Sequence, residues 1–294
     1  MSEVLANLSK SNLVLTRDWF DKNSVKRLAI GRFDGLHLGH LQLLKRLQNA
    51  EEAGIFLIKS NQNLTPPTHF AKFCGMQFFA YDIEDLRQKS GEEFAQFLCG
   101  EFKGLEKVVV GYDFKFAKNR SADAQDLREM LAKRGVAVEV VEEFRLDGVA
   151  VHSSLIRALL ARGEVDEAAK FLGRNYTIFG LQISGQGLGG RELFATINLD
   201  AGEFLTPKFG VYAAVVRLKE CALKAVVFVG NRLSTDLKFS IEARILEPFS
   251  QEDLGGEIGV EFVKFLRQNA KFDELSQLKE QIAKDITNAR QILA

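Results

Sequence analysis

Two of the four histidines in this 294-residue chain, His37 and His40, stand three positions apart within the segment GRFDGLHLGH, Gly31 to His40. On a helix, positions i and i+3 share a face, so both imidazoles can present N–H groups to one ligand. Gly35 and Gly39 allow close approach of the backbone to that ligand. A helix opening near His37 or Leu38 adds free backbone N–H groups and the positive end of its dipole. Phosphate is the guest this arrangement suits. Imidazole donors can stabilise the charge that builds up in phosphoryl or nucleotidyl transfer, a chemistry that runs on orientation and electrostatics and needs no protein nucleophile. The spacing alone also fits a plain helix cap or an adventitious metal; the whole ten-residue context favours phosphate.

The elements that must position this pair follow from the apolar pattern. Residues 26–31 (KRLAIG) read as a short buried strand, and 38–53 as a helix with leucines at 38, 41, 44 and 47. Strands near 55–58, 77–81, 107–111 and 136–141 alternate with helices near 91–99 and 123–134, which implies a parallel sheet with both faces covered. A helix opening at Ser153 or Ser154 follows, then another over 165–172 ended by Gly173. From Tyr176 to about Val263 the texture becomes glycine-rich and alternating, as in YTIFGLQIS, GVYAAVVRL, KFSIEARIL and IGVEFVKFL, the pattern of a compact β-barrel. Apolar residues at 275, 278, 282, 286 and 289 predict a terminal helix with one face on that barrel. The fold expected is thus an α/β parallel-sheet domain over 1–175 followed by a small β-barrel with a C-terminal helix over 176–294.

Composition narrows the partners. Lysine plus arginine (39) equals aspartate plus glutamate (39), so no basic excess draws the chain to nucleic acid or an anionic membrane. The longest apolar runs are too short to cross a bilayer and the first residues lack a signal-peptide pattern; a cytoplasmic protein is expected. The three cysteines, Cys74, Cys99 and Cys221, have no CxxC spacing, which argues against a disulfide framework or cysteine zinc site; buried thiols are expected.

IGRFDGLHLGH resembles the nucleotide-binding element of the bacterial bifunctional riboflavin kinase/FAD synthetases, relatives of the HxGH nucleotidyltransferases. VVVGYDFKFAKNR at 108–120 is similar to that family's V-G-x-D-F-x-F-G-x-x-R block, with Asp113, Phe114, Phe116 and Arg120 matching. HSSLIRALLARGEVDEAAKFLGRNYTIFG at 152–180 resembles its S-S-T-x-I-R block and the L-G-R-x-Y-x-x-x-G junction beyond. Family glycine positions hold Ala117 and Ala122 here, and His152 stands in place of the first serine. The resemblance implies that the first domain transfers AMP from ATP to FMN, with His37 and His40 stabilising the transferring phosphate. It places Gly31, Phe33, Asp34, Gly39, Asp113, Ser153, Ser154 and Arg157 around the ligands. The chemistry is apt: a serine at a helix start can cap it or reach a phosphate, and the planar fork of Arg157 suits phosphate oxygens. An ordinary N-cap, a surface arginine and a turn aspartate would look alike.

The resemblance continues to the C-terminus. GRELFATINL at 190–199 aligns with the family's G-R-x-L-G-F-P-T-A-N-L with the glycine before Phe194 missing and Ala195 in place of proline. It implies that Thr196 and Asn198 hold Mg²⁺ and the phosphates of the co-substrate ATP, and that Glu242, in FSIEARIL, is the general base toward the riboflavin hydroxyl. Alternation puts Glu242 on the face of Ser240 and Arg244. Leu233, Ser234 and Gly255 depart from the usual proline, threonine and tyrosine. The implied activity is ATP-dependent phosphorylation of riboflavin to FMN and adenylylation of FMN to FAD with release of pyrophosphate. Three rivals stand beside it: a monofunctional FMN adenylyltransferase with an impaired kinase domain, a nucleotidyltransferase for another acceptor, and a non-catalytic flavin or nucleotide sensor.

Overall fold

The apolar runs of the N-terminal half form strands β1 (Arg27–Gly31), β2 (Ala53–Ile58), β3 (Phe78–Tyr81) and β4 (Lys107–Gly111). After two short paired strands, β5 (Lys115–Phe116) and β6 (Ala122–Asp123), comes β7 (Ala137–Val141), and then a second small pair, β8 (Arg145–Leu146) with β9 (Val149–Ala150). This computed structural model describes residues 21–48, 50–59, 63–183, 196–218, 221–231, 239–249 and 256–294. The stretch 190–195, Leu233, Ser234 and Gly255 lie outside them, as do the first residues, on which the expectation of no leader rests. Two compact units divide the chain, Met1–Ser153 and Ser154–Ala294.

In the first unit β3-β2-β1-β4-β7 form one sheet with every pairing parallel. The central strands are fully buried because both faces are covered: Leu28, Ile30, Val108 and Val110 face one core, Ala29, Ile55 and Val109 the other. That is why β1 and β4 read as unbroken apolar runs rather than alternating ones. Helices Gly91–Glu101 and Ala124–Ala132 each open with a capping box, Ser90/Glu93 and Asp123/Asp126. The helix expected over 38–53 is shorter, Leu38–Lys45: Gln48 takes a left-handed φ of 52°, and Ala53 already begins β2.

In the second unit a helix over Val165–Leu172 ends at Gly173, whose φ of 75° is the left-handed cap glycine favours. It packs on two of the strands that follow. These are β10 (Tyr176–Ile183), β11 (Thr196–Asp200), β12 (Gly210–Leu218), β13 (Cys221–Asn231), β14 (Phe239–Ile245) and β15 (Glu257–Gln268), closed as an antiparallel barrel in the order β10-β11-β14-β13-β12-β15. The terminal helix, Leu275–Ile292, lays Ile286 and Ala289 on Val211, Ala213, Val226 and Leu246, the contact its apolar spacing predicts. No helix among the described residues is long and apolar enough to cross a membrane. Of the thiols, Cys74 is buried and Cys99 partly so, but Cys221 is exposed. That corrects the expectation of three buried thiols, since Cys221 is the first residue of β13, at an exposed end of that strand.

Candidate active sites

The chain winds from β1 through β2 to β3 on one side of the sheet, then crosses to β4 and β7 on the other. Sheets of this kind bind ligands beyond the carboxyl ends of the strands flanking that reversal, here β1 and β4. The histidine segment follows β1 and Asp113 follows β4, so the topology brings the first two motif blocks to neighbouring strand ends. The loop after β1 is tightly wound, with left-handed φ at Phe33 (46°), Gly35 (81°) and Leu36 (41°). Strain of this sort is held only where surrounding contacts over-determine it.

His37 is the N-cap of helix Leu38–Lys45, and its Nδ1 accepts a 3.3 Å hydrogen bond from the His40 backbone N–H. With the Nδ1 lone pair engaged, the neutral ring carries its proton on Nε2, where it is a donor. The two imidazoles stack, ring centroids 3.5 Å apart at 15°. His37 is buried and His40 half-buried. Phe33, 1% exposed, packs its ring 5.2 Å from that of His40 and 6.4 Å from that of Phe70. Gly39 is closely packed: a Cβ there would lie 3.2 Å from the His37 ring and 3.2 Å from the Val151 carbonyl, so a larger residue would have to displace one of them by a few tenths of an ångström. A Cβ on Gly31 would sit 3.3 Å from the Phe33 ring.

Asp34 is also buried, and its Oδ1 accepts a 2.7 Å bond from the Leu64 N–H. Its carbonyl accepts a 2.8 Å bond from the Ser153 hydroxyl. Phe33 and Asp34, expected around the ligands, also hold the loop, Phe33 by packing against the His40 ring and Asp34 by accepting from Leu64. The helix opens at Ser153, as expected, with Ser153 and Ser154 as the first two residues of Ser153–Arg162. Ser154 is exposed; Arg157, a turn further on, is half-buried and belongs to the second unit. Asp113 is exposed beyond β4, its carboxylate close over Gly111.

One cluster beside these residues was not foreseen. The exposed Tyr112 donates its hydroxyl to Glu143 Oε1 at 2.8 Å, and His152 Nε2 lies 3.4 Å from the same hydroxyl. Burial and the bond to Glu143 push the Tyr112 phenol up to about 12, while that bond holds the Glu143 carboxyl below its usual range. The cluster ties the residue before Asp113 to the residue before Ser153. Its signal in the sequence was His152, standing in place of a serine.

In the second unit the candidates fall on two paired strands. The register sets Asn198 opposite Glu242 and Thr196 opposite Arg244. Ile197 and Leu199, Ile241, Ala243 and Ile245 are buried between them, leaving Thr196, Asn198, Glu242 and Arg244 half-buried on the other face. Ser240 donates its hydroxyl to Glu242 Oε1 at 2.6 Å. Among the described residues no three His, Cys, Asp or Glu side chains gather as a metal cage. The hydroxyl and amide oxygens of Thr196 and Asn198 do fit a hard divalent ion that completes its shell with phosphate and water.

A family model described as FAD synthetase matches residues 74–155, and one described as riboflavin kinase matches 172–293. The bifunctional riboflavin kinase/FMN adenylyltransferase of Haemophilus influenzae is 31% identical over 90% of this chain and 92% of its own length. The chain belongs to that family. The Listeria monocytogenes member is 27% identical over 96% of both chains. In fold, the crystal structure of a macrolide-efflux protein from Streptococcus pneumoniae matches with a TM-score of 0.75, covering 92% of this chain and 97% of its own at 21% identity. The family's two models span the elements that carry Asp113, Ser153 and Ser154 in one case, and Thr196, Asn198 and Glu242 in the other.

Proposed function

We propose that this chain converts riboflavin and ATP to FMN and ADP, and then FMN and a second ATP to FAD and pyrophosphate. Membership of the bifunctional family carries the reading, and the comparisons favour none of the rivals. Residues 1–175 are assigned to adenylyl transfer and 176–294 to the kinase, acting on small-molecule substrates in the cytoplasm.

In adenylyl transfer a phosphate oxygen of FMN attacks the α-phosphorus of ATP and pyrophosphate departs. The Nε2–H of His37, the His40 ring, and the Leu38 and Gly39 N–H groups at the helix start surround the position where that charge grows. The His40 N–H is taken by His37. Asp113, Ser154 and Arg157 are assigned to the same ligands, Arg157 as a phosphate fork. Gly31, Phe33, Asp34, Gly39 and Ser153 are assigned around the same ligands, as residues of or bonded to the loop that carries the histidines.

In the kinase reaction Glu242 accepts the proton of the riboflavin terminal hydroxyl as its oxygen attacks the γ-phosphorus of ATP and ADP leaves. Thr196 and Asn198 would hold a divalent ion, Mg²⁺ in this proposal. Such an ion, when bound, neutralises charge across the phosphates.

The deciding assay incubates the chain with riboflavin, ATP and Mg²⁺ and separates riboflavin, FMN and FAD by chromatography. FAD from riboflavin is the expected result. FAD only from supplied FMN would remove the kinase half, and no product from either would remove both.

A further inference from the structure

Arg244 has no part in the mechanism so far. It lies on β14 two residues from Glu242 and on the same face, with Thr196 opposite it on β11 and Val226 opposite it on β13. Val226 is buried beneath the terminal helix together with Leu246, the next residue on that face of the chain. The guanidinium is therefore flanked by apolar surface on one strand and along its own. Burial pushes its pKa down, and no neighbouring carboxylate opposes that shift. Among the described residues Arg244 makes no hydrogen bond or ion pair. A half-buried guanidinium with no acceptor from the described residues keeps its donors available to an oxygen ligand, and the apolar surface around it strengthens any charge-assisted bond it makes.

The position says what could supply the acceptor. Successive residues on one strand face are about 7 Å apart, so the Asn198/Glu242 and Thr196/Arg244 pairs form two stations along one face of the barrel wall. Glu242 is an anion suited to a hydroxyl proton. Arg244 is a fixed planar cation suited to two oxygens of one phosphate. We propose that Arg244 binds phosphate oxygens of the nucleoside triphosphate in the kinase half, at the Thr196 end of this face. The inference rests on the kinase reading above, and adds to it a binding residue that the resemblance does not assign.

The full chain supplies its own control, since FMN adenylylation reports whether a variant is folded. Calorimetric titration with the magnesium complex of an ATP analogue carrying an imido β,γ-bridge should show two nucleotide sites in the unaltered chain. Arg244→Ala should weaken one of them by roughly ten- to a hundredfold, the effect of losing a charge-assisted pair, and raise the KM for ATP in FMN formation while leaving FMN adenylylation unchanged. Arg244→Lys, which keeps charge but not the fork, should fall between. An Arg244→Ala chain with both nucleotide sites and the KM intact overturns the proposal. Should Arg244→Ala lose adenylylation as well, Arg244→Lys decides by the same two readouts. An unaltered chain that binds two nucleotides but forms no FMN would refute the kinase activity, and the titration would still decide Arg244.

Discussion

Ser153 donates its hydroxyl to the carbonyl oxygen of Asp34 across 2.8 Å, joining the helix that starts after β9 to the histidine loop that follows β1. Through this bond the loop depends on a residue 119 positions away in sequence. Ser153→Ala removes the hydroxyl donor to the Asp34 carbonyl. Loop position then relaxes, and small displacements are expensive in a reaction run by orientation. FAD formation from supplied FMN should fall roughly tenfold to a hundredfold in kcat, while riboflavin phosphorylation by the same sample stays near normal. Equal loss of both steps in a folded variant would show that the bond serves the whole chain rather than the loop.

The two histidines should separate when substituted, because only His37 caps the helix. Asparagine is as good a cap as a side chain offers, so His37→Asn should keep the helix and lose the Nε2–H donor. His37→Ala should lose both, with a further stability loss of about 1 kcal/mol seen in thermal unfolding. His40→Ala should stop FAD formation by a factor on the order of 10² to 10³, with FMN accumulating from riboflavin. A chain carrying His37→Asn that makes FAD at the normal rate would reduce His37 to a structural cap.

Much of this arrangement can be read from sequence, and the limits are physical. Buried parallel strands such as RLAIG and KVVVG carry a strong signal because both faces are apolar, and β-barrel alternation does the same for FSIEARIL. The face shared by Glu242, Arg244 and Ser240 follows from a period of two alone. Motif residues, by contrast, name a neighbourhood without saying which way a side chain is committed. Phe33 and Asp34 fall in the motif, yet one packs under His40 and the other accepts from Leu64. Such contacts bridge residues distant in sequence, as does the Tyr112, Glu143 and His152 cluster. The overlong helix over 38–53 shows the complementary failure: apolar spacing continued through Leu47 although the helix ends at Lys45 and the chain turns through left-handed Gln48 just beyond.

Ala117 occupies a family glycine position, and its backbone shows why glycine is usual there. Its φ of 64° with ψ of 175° lies in a region populated almost only by glycine, at a cost of order 1 to 3 kcal/mol for other residues. Its methyl group is buried in the core beneath the sheet, which offsets part of that. Ala117→Gly is expected to raise stability by about 1 kcal/mol, measured by urea unfolding. A loss of stability would mean that methyl packing outweighs the backbone strain.

Arg267 and Asp285 fix the terminal helix to β15 by paired bonds, Nε to Oδ1 at 2.9 Å and Nη2 to Oδ2 at 2.8 Å, with Asp285 only 3% exposed. Gln281 adds a third donor at 2.9 Å. Removing the carboxylate strands a partly desolvated guanidinium. Asp285→Ala should therefore cost about 3 to 5 kcal/mol, and Asp285→Asn, which keeps one acceptor oxygen, clearly less. The check is chemical unfolding of the full chain followed by tryptophan-independent circular dichroism. Near-equal losses for the two variants would mean that packing around residue 285, rather than the charge pair, holds the helix.

Burial pushes the Cys74 thiol up to about 11, well above the ordinary range of a cysteine. A raised pKa means that the folded state keeps a proton the unfolded chain gives up first, so the contribution is complete below about pH 9 and is lost as pH rises toward 11. Stability should accordingly decline through that window, by on the order of 2 kcal/mol from this thiol. Cys74→Ala removes the titration and should flatten that part of the stability curve, whatever its effect at neutral pH. The same burial makes Cys74 inert to thiol reagents in the folded chain, since the thiolate is the reactive form, whereas exposed Cys221 should react at once. Unfolding curves from pH 7 to 10.5 on both chains provide the test. An unchanged alkaline slope in Cys74→Ala would assign the decline to other groups.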